Sequence, residues 1–311
     1  MTTKINPLKP SDYRNLKRFV RGQTNKLAVY SFPSIIVWNN DMCQPFYVIE
    51  DNTLIFFCIE SVKRPENRHL ILPISPSRDF SPEELNKLAR QLGFTEYWFI
   101  PEDYIEYYGR SEVESYFEVI EQPEYEDYVF LTRDLAQLKG RRYAKKRNLI
   151  HQFTKAYLET GRVEIEKISS SNSGDCLDFL EKWCEDYLCD SADEEENLAC
   201  EKKAAINMLS NIEALEVEGL LIRIDGIVSA FGVCTHLTDN MGVLIFEKAF
   251  SHIKGLYQFL DRECARQLFT GYEYINKESD MGIAGLAQAK QSYHPIMRVK
   301  SYRLRIEIGI L

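Results

Sequence analysis

The sequence predicts a mixed α/β (α+β) protein of two tandem units, each a mostly antiparallel sheet flanked by helices. Three observations carry that expectation. Apolar runs of strand length recur in both halves, stretches of helical period separate them, and the element order of the second half is repeated in outline in the first. With 311 residues, 45% hydrophobic and 27% charged, the chain can build two ordinary cores without disulfide staples.

In the first half, residues 34–38 and 45–49 are rich in β formers, Glu50-Asp51-Asn52 is a turn signal, and residues 53–59 return as a buried strand. Residues 69–74 form another apolar run. Ser81-Pro82-Glu83-Glu84 supplies a cap, a first-turn proline and early acids, so a helix opens there and stops at Gly93. Residues 96–100 are strand-like, and 117–129 hold two more strands. The composition then shifts. Six bases and no acid lie between Lys139 and Arg147, and the boundary is placed there, with units at 1–138 and 139–311.

The second half continues with a helix over 148–158, with Leu149, Phe153 and Tyr157 at helical spacing. An acidic helical stretch follows, with nine acids over 181–201, and Trp183 and Tyr187 share one of its faces. A further helix covers 204–215. Strands are expected at 219–224, 227–234 and 241–246, joined by an Asp225-Gly226 turn and a polar turn at Thr238-Asp239-Asn240. A helix over 256–268, a strand over 272–275, a helix over 282–291 and a closing strand region over 297–308 complete the order.

The exclusions are equally informative. No run approaches the ~18 apolar residues of a membrane span, and residues 1–10 lack the apolar core of a leader. The eight cysteines follow no zinc or redox spacing, which predicts buried free thiols and a cytoplasmic protein. No HxH, HExxH or GxSxG pattern occurs, so no metal is expected and hydrolase chemistry finds no motif. The net charge of −9 argues against a surface that is basic throughout.

Three clusters carry chemistry. Residues 246–257 place a loop and a helix start directly after a strand, where free amides and the helix dipole favour an anion such as a pyrophosphate, with His252 and Lys254 adding charge. The plainer alternative is a helix capped by Ser251. Residues 274–295 deliver Asn, Glu and Asp from a strand end beside a glycine-flanked helix, with Asn276 able to bond an amide-bearing arm and Tyr293 able to donate a proton. Here turn and cap roles compete equally. The basic run suits phosphates of a nucleotide, RNA or a lipid head group, or is a solvated helix face.

As an ordered set, several motifs resemble one family. They are Asp127-Tyr128-Val129-Phe130, Asp134-Leu135, Leu138-Lys139-Gly140-Arg141, Lys146-Arg147-Asn148 and Phe153, followed by Glu247-Lys248-Ala249, Ile253-Lys254-Gly255 and Tyr257-Gln258. Ile275-Asn276, Glu278, Asp280, Gly282, Gly285-Leu286, Ala289-Lys290 and Ser292-Tyr293-x-Pro295 complete the set. The family is the bacterial one related to the C-terminal domain of phosphatidylglycerol lysyltransferase. The likeness is dense over 127–302 and looser before it.

The resemblance implies a tandem GNAT fold, which is shared with enzymes that move amino acids from aminoacyl-tRNA to peptidoglycan precursors. It implies acyl or aminoacyl transfer without a metal. The donor is coenzyme A (as acyl-CoA) or aminoacyl-tRNA, with the net charge of −9 tilting the expectation toward coenzyme A, and the acceptor is an amine or hydroxyl of a small molecule or lipid head group. In that frame Glu247 is the general base and Tyr293 the acid. Lys248, Ala249, Ser251, His252, Ile253, Lys254, Gly255, Leu256, Asn276 and Lys290 hold the donor, while Arg141, Arg142, Lys145, Lys146 and Arg147 form a phosphate or RNA patch. The glycine-rich loop of ordinary GNAT acetyltransferases is reduced to His252-Ile253-Lys254-Gly255-Leu256-Tyr257, with bulky Tyr257 at the last small-residue position, which weakens a plain acetyl-CoA reading. No stretch corresponds to the membrane half of the lysyltransferase, so a lipid acceptor would be met from the cytoplasmic face. The alternative is a non-catalytic module that binds a nucleotide, or a partner through the acidic 190–196 stretch.

Overall fold

A computed structural model describes residues 5–39, 44–59, 68–187 and 196–307. Its strands are β1 (Asn6–Pro7), β2 (Gln44–Glu50), β3 (Thr53–Ile59), β4 (Arg68–Leu70), β5 (Glu96–Pro101), β6 (Glu118–Glu121), β7 (Asp127–Leu131), β8 (Val163–Lys167), β9 (Glu218–Ile224), β10 (Ile227–Thr238), β11 (Met241–Ala249), β12 (Tyr274–Asn276), β13 (Met297–Val299) and β14 (Ser301–Arg305). Its helices are α1 (Tyr13–Val20), α2 (Phe32–Val37), α3 (Pro82–Leu92), α4 (Glu102–Tyr108), α5 (Arg110–Glu114), α6 (Thr132–Gln137), α7 (Ala144–Phe153), α8 (Ser173–Tyr187), α9 (Glu196–Ser210), α10 (Leu256–Gln267) and α11 (Ala284–Gln291).

Local chemistry explains the main elements. Asp225 and Gly226 take φ of 52° and 79°, the positive-φ pair that a tight hairpin needs, and they fold β9 onto β10. Ser81 and Glu84 form a reciprocal capping box at the start of α3, and Gly93 ends it at φ 74°. The strands assemble into two seven-stranded sheets, ordered β1-β2-β3-β4-β5-β14-β6 and β13-β7-β12-β11-β10-β9-β8. In each, antiparallel neighbours surround one parallel pair, β4–β5 in the first sheet and β11–β12 in the second. Helices flank both sheets, and the result is a mixed α/β fold built on two mostly antiparallel seven-stranded sheets.

The sheets exchange strands across the boundary expected at 138/139. β7 pairs with β12 and β13 in the second sheet, and β14 enters the first between β5 and β6. Tyr302 and Leu304 of β14 are core residues. A polar clamp lies at the same junction. The Asp127 carboxylate accepts from the Ala28 amide (2.6 Å) and from Asn276 Nδ2 (2.8 Å), and that amide group also donates to the Lys26 carbonyl (2.9 Å). Buried polar groups are tolerated only when satisfied in this way.

The structure corrects several element expectations. Of residues 34–38, the first four belong to a helix that ends at Val37, not to a strand, because Pro33 presets its first turn and burial of Ile36 and Val37 overrides their β preference. β8 was not anticipated. Its Val-Glu-Ile-Glu alternation suits an edge strand, and it pairs with β9. The closing region over 297–308 is two strands in different sheets, and the helix over 148–158 ends in a π-helical turn at Thr154–Leu158. Cys176, Cys234 and Cys264 are buried free thiols, but Cys58 is in a disulfide that no spacing along the chain announced. No helix among the described residues is long and apolar enough to cross a membrane. The acidic run at 190–196 lies largely outside the described residues.

Two outcomes follow. A chain ending at residue 138 lacks β14, leaving β5 and β6 unbridged, and should show no cooperative urea transition, whereas the full chain should give coincident near- and far-ultraviolet dichroism transitions. Cooperative unfolding of the short chain would refute the coupling. The His69 ring stacks on Trp98 at 4.5 Å, and burial, opposed by Glu96, pushes its pKa down to about 4. Its stabilisation is therefore present above pH ~6.5 and lost as pH falls toward 4, on the order of 2–3 kcal/mol. Urea titrations should show the wild type losing more stability than His69→Leu across that window.

Candidate functional site

β11 and β12 pair only over Met241–Tyr274, Gly242–Ile275 and Val243–Asn276. Beyond that point β11 continues to Ala249, held on one edge by β10, while β12 stops. A wedge opens between the two strands at their C-terminal ends, where α/β sheets place ligands. Alternation along β11 sends Glu247 to one face of the sheet and Lys248 to the other.

On the α10 face, Lys277 Nζ lies 2.8 Å from Glu247 Oε2 and 3.0 Å from Asp261 Oδ1. The side chains are 10%, 17% and 3% exposed in that order, so Asp261 is sealed while Glu247, and less so Lys277, keeps a partial opening to solvent. Neither Asp261 oxygen accepts a well-directed hydrogen bond, and Lys277 compensates its charge. Burial and the neighbouring Asp261 carboxylate push Glu247 up to about 7, against the pull of Lys277. Burial alone would lower Lys277, but Asp261 and Glu247 hold it above its ordinary range. The Tyr293 phenol is pushed well up by burial and then by Asp261 and Glu247. Lys146 Nζ sits 3.8 Å from the centroid of that ring and donates to Ser292 Oγ at 2.7 Å. The expected acid and base thus meet in one cluster, joined by Asp261 and Lys277, which sequence reasoning missed. The available signal was a carboxylate at 261 beside the apolar stripe of α10.

On the opposite face, Lys248 Nζ pairs with Glu201 at 2.7 Å and lies 4.2 Å from the centroid of a Trp183 ring. Trp183 Nε1 donates to the Ala249 carbonyl. Asn276 spends its amide on Asp127 and Lys26, and its Oδ1 accepts from the Glu278 amide at 2.7 Å. Lys290 Nζ donates to the carbonyls of Lys277, Glu278 and Ser279. Both residues therefore fasten the loop after β12, and neither has a donor left for a ligand arm in this conformation.

The start of α10 divides the expected donor-binding set. Ser251, His252 and Lys254 are exposed, Ile253 is half-buried, and Lys248, Ala249, Gly255 and Leu256 are buried. Gly255, at φ 86°, is the N-cap residue, and no side chain caps the helix, so Ser251 is not its cap. A Cβ on Gly255 would fall 2.2 Å from the Leu149 carbonyl oxygen, so the glycine is required by the approach of α7. In the basic run, Arg142 pairs with Asp134, Arg147 donates to the Leu138 and Gly140 carbonyls, and Lys146 turns inward. Lys139, Arg141 and Lys145 are exposed. Among the described residues no group of three or more His, Cys, Asp or Glu side chains is placed to hold a metal ion. An open groove of about 490 Å³ lies at the other end of α10, lined in part by Arg133, Ala136, Arg266 and Glu273.

Residues 35–305 match the family described as phosphatidylglycerol lysyltransferase, C-terminal. A conserved protein of unknown function from Bacteroides thetaiotaomicron superposes with a TM-score of 0.85 at 25% identity, over 98% of this chain and 100% of that one. The C-terminal domain of a putative lysylphosphatidylglycerol synthetase from Agrobacterium fabrum gives 0.63 at 15% identity, over 94% and 91% of the two chains. An uncharacterised protein of Mycoplasmoides gallisepticum is 26% identical over 181 residues, 58% of this chain and 56% of its own length. The match to that relative thus spans little more than half of it.

Lys277→Met should cost about 3–5 kcal/mol by leaving two carboxylates without their counter-charge. Adding Asp261→Asn should recover part of the loss. Urea denaturation measures both, and a cost below about 1 kcal/mol would mean the cluster is hydrated rather than ion-paired.

Proposed function

The chain belongs to the phosphatidylglycerol lysyltransferase C-terminal family, and from that premise we propose that it transfers an acyl or aminoacyl group from an activated donor to an amine or hydroxyl. The observation that carries this reading is the wedge between β11 and β12 with an acid–base cluster on its edge. The donor carbonyl lies in the wedge. Its oxygen, negative in the tetrahedral intermediate, is held by a backbone amide of residues 246–249 along the edge that β12 leaves unpaired. Glu247, directly or through a water, takes the proton of the attacking amine or hydroxyl, and its raised pKa suits that task near neutral pH. Tyr293 protonates the leaving group, and Lys146 over its ring stabilises the phenolate that results. The acceptor is a small molecule or a lipid head group.

Among donors, crowding of the first turn of α10 by α7 favours aminoacyl-tRNA over coenzyme A. In that reading Lys139, Arg141 and Lys145 meet tRNA phosphates. Coenzyme A would instead use the exposed Ser251, His252 and Lys254. A non-catalytic binding module would bind a donor tightly without turnover.

Glu247→Gln and Tyr293→Phe should each lower transfer by about a hundredfold or more with donor binding retained. Unchanged turnover in both would remove these roles. Replacing Lys139, Arg141 and Lys145 by Ala should reduce the slope of log affinity for tRNA against log salt by about 2–3. An unaltered slope in filter-binding titrations would sink the tRNA contact.

A further inference from the structure

We propose that Glu278 is the docking point for a primary ammonium group of the substrate, at the mouth of the β11–β12 wedge on the face opposite Glu247. The proposal rests on the transfer reading for where the ligand lies.

Four observations carry it. Glu278 follows β12 by two residues, where the strand has left β11, and its side chain is half-buried rather than sealed. Its carboxylate has no hydrogen-bond or ion-pair partner among the described residues. The charged groups nearest to it are already engaged. Lys248 is paired with Glu201, Lys290 is spent on three carbonyls, and Asp127 takes the Ala28 and Asn276 donors. The remaining observation is the backbone. Glu278 sits at φ 58°, a conformation that costs a side chain of this size and that glycine adopts freely. Asn276 Oδ1 on its amide and Lys290 Nζ and the Tyr128 amide on its carbonyl hold it there. Strain maintained by surrounding contacts to present a carboxylate with no bonded donor points to a role outside the fold.

Lys290 attracts this carboxylate at a distance, but its N–H donors are spent on carbonyls, so no cation is hydrogen-bonded to Glu278. Burial, with Asp127 and Glu201, holds its pKa high against the pull of Lys290, and an arriving ammonium would bring it down. The ammonium can come from the α-amino group of an aminoacyl donor or from an amine acceptor, and both present the same chemistry to Glu278.

The test separates these sources by calorimetric titration of the full chain at pH 7. One arm compares 3′-deoxy-3′-(L-alanylamino)adenosine with its propionyl twin, which lacks the ammonium. The other compares phosphoethanolamine with ethyl phosphate. We expect the ammonium member of one pair to bind at least about tenfold tighter than its twin. Glu278→Gln should reduce that preference to within about threefold, leaving affinity for the neutral twin intact. Glu278→Gly should do the same with an equal or higher melting temperature, since it relieves the positive φ. A merely structural glutamate would instead lose stability and leave the preference unchanged. No binding of any probe, no preference in either pair, or a preference that survives both substitutions overturns the inference. Turnover of Glu247→Gln and Tyr293→Phe is measured separately, so failure of the transfer reading would show there and not in these titrations.

Discussion

Lys277 carries one positive charge into the space between two carboxylates, and the arrangement of the second sheet depends on that charge being there. Without it Glu247 and Asp261 would repel across a poorly hydrated gap. With it, β11, α10 and the loop after β12 are tied at one point, just where the backbone pairing of β11 to β12 has ended. A side-chain bridge thus takes over from a hydrogen-bond ladder. The wedge stays open without its two edges drifting apart, which is what a ligand entering between them requires.

The second constraint is the junction between the halves. Asn276 is the last residue of β12, so it belongs to the wedge, yet its amide reaches Asp127 and the Lys26 carbonyl. The geometry of the site therefore depends on a segment of the first unit more than two hundred residues away in sequence. Lys26 and Asp127 fix the strand end from which Lys277 and Glu278 project. Asp127 bears the cost of that link. Burial pushes its pKa up to about 6, against the donors it has gained.

Much of this architecture was legible in the sequence because strands and turns leave local marks. The Asp225-Gly226 hairpin, the α3 capping box and the apolar stripe of α10 all follow from neighbouring residues. Residues 34–38 misled because Ile35-Ile36-Val37 has β propensity, and the helix there rests on Pro33 in its first turn and on burial. Of the candidate site, Glu247 and Tyr293 stood out through the family motif, whereas Lys277 and Asp261 did not, since a buried ion pair depends on where a helix docks against a strand end. The same limit applies to Gly255. A glycine before a helix suggests room for a phosphate, but its absent side chain instead admits the Leu149 carbonyl. In the basic run, the inward turn of Lys146 toward Tyr293 depends on the packing of α7 and is invisible in a list of charges.

The path of the chain between the sheets also affects how the protein is made. β14 follows every strand of the second sheet in sequence, yet it lies inside the first sheet, between β5 and β6, which are made far earlier. Translation proceeds from the N-terminus, so β5 and β6 emerge with facing edges unpaired and stay so until residues 301–305 have been made. Unpaired edges are templates for association with other chains. The order of synthesis therefore leaves the first sheet open until β14 arrives, after every strand of the second sheet has been made.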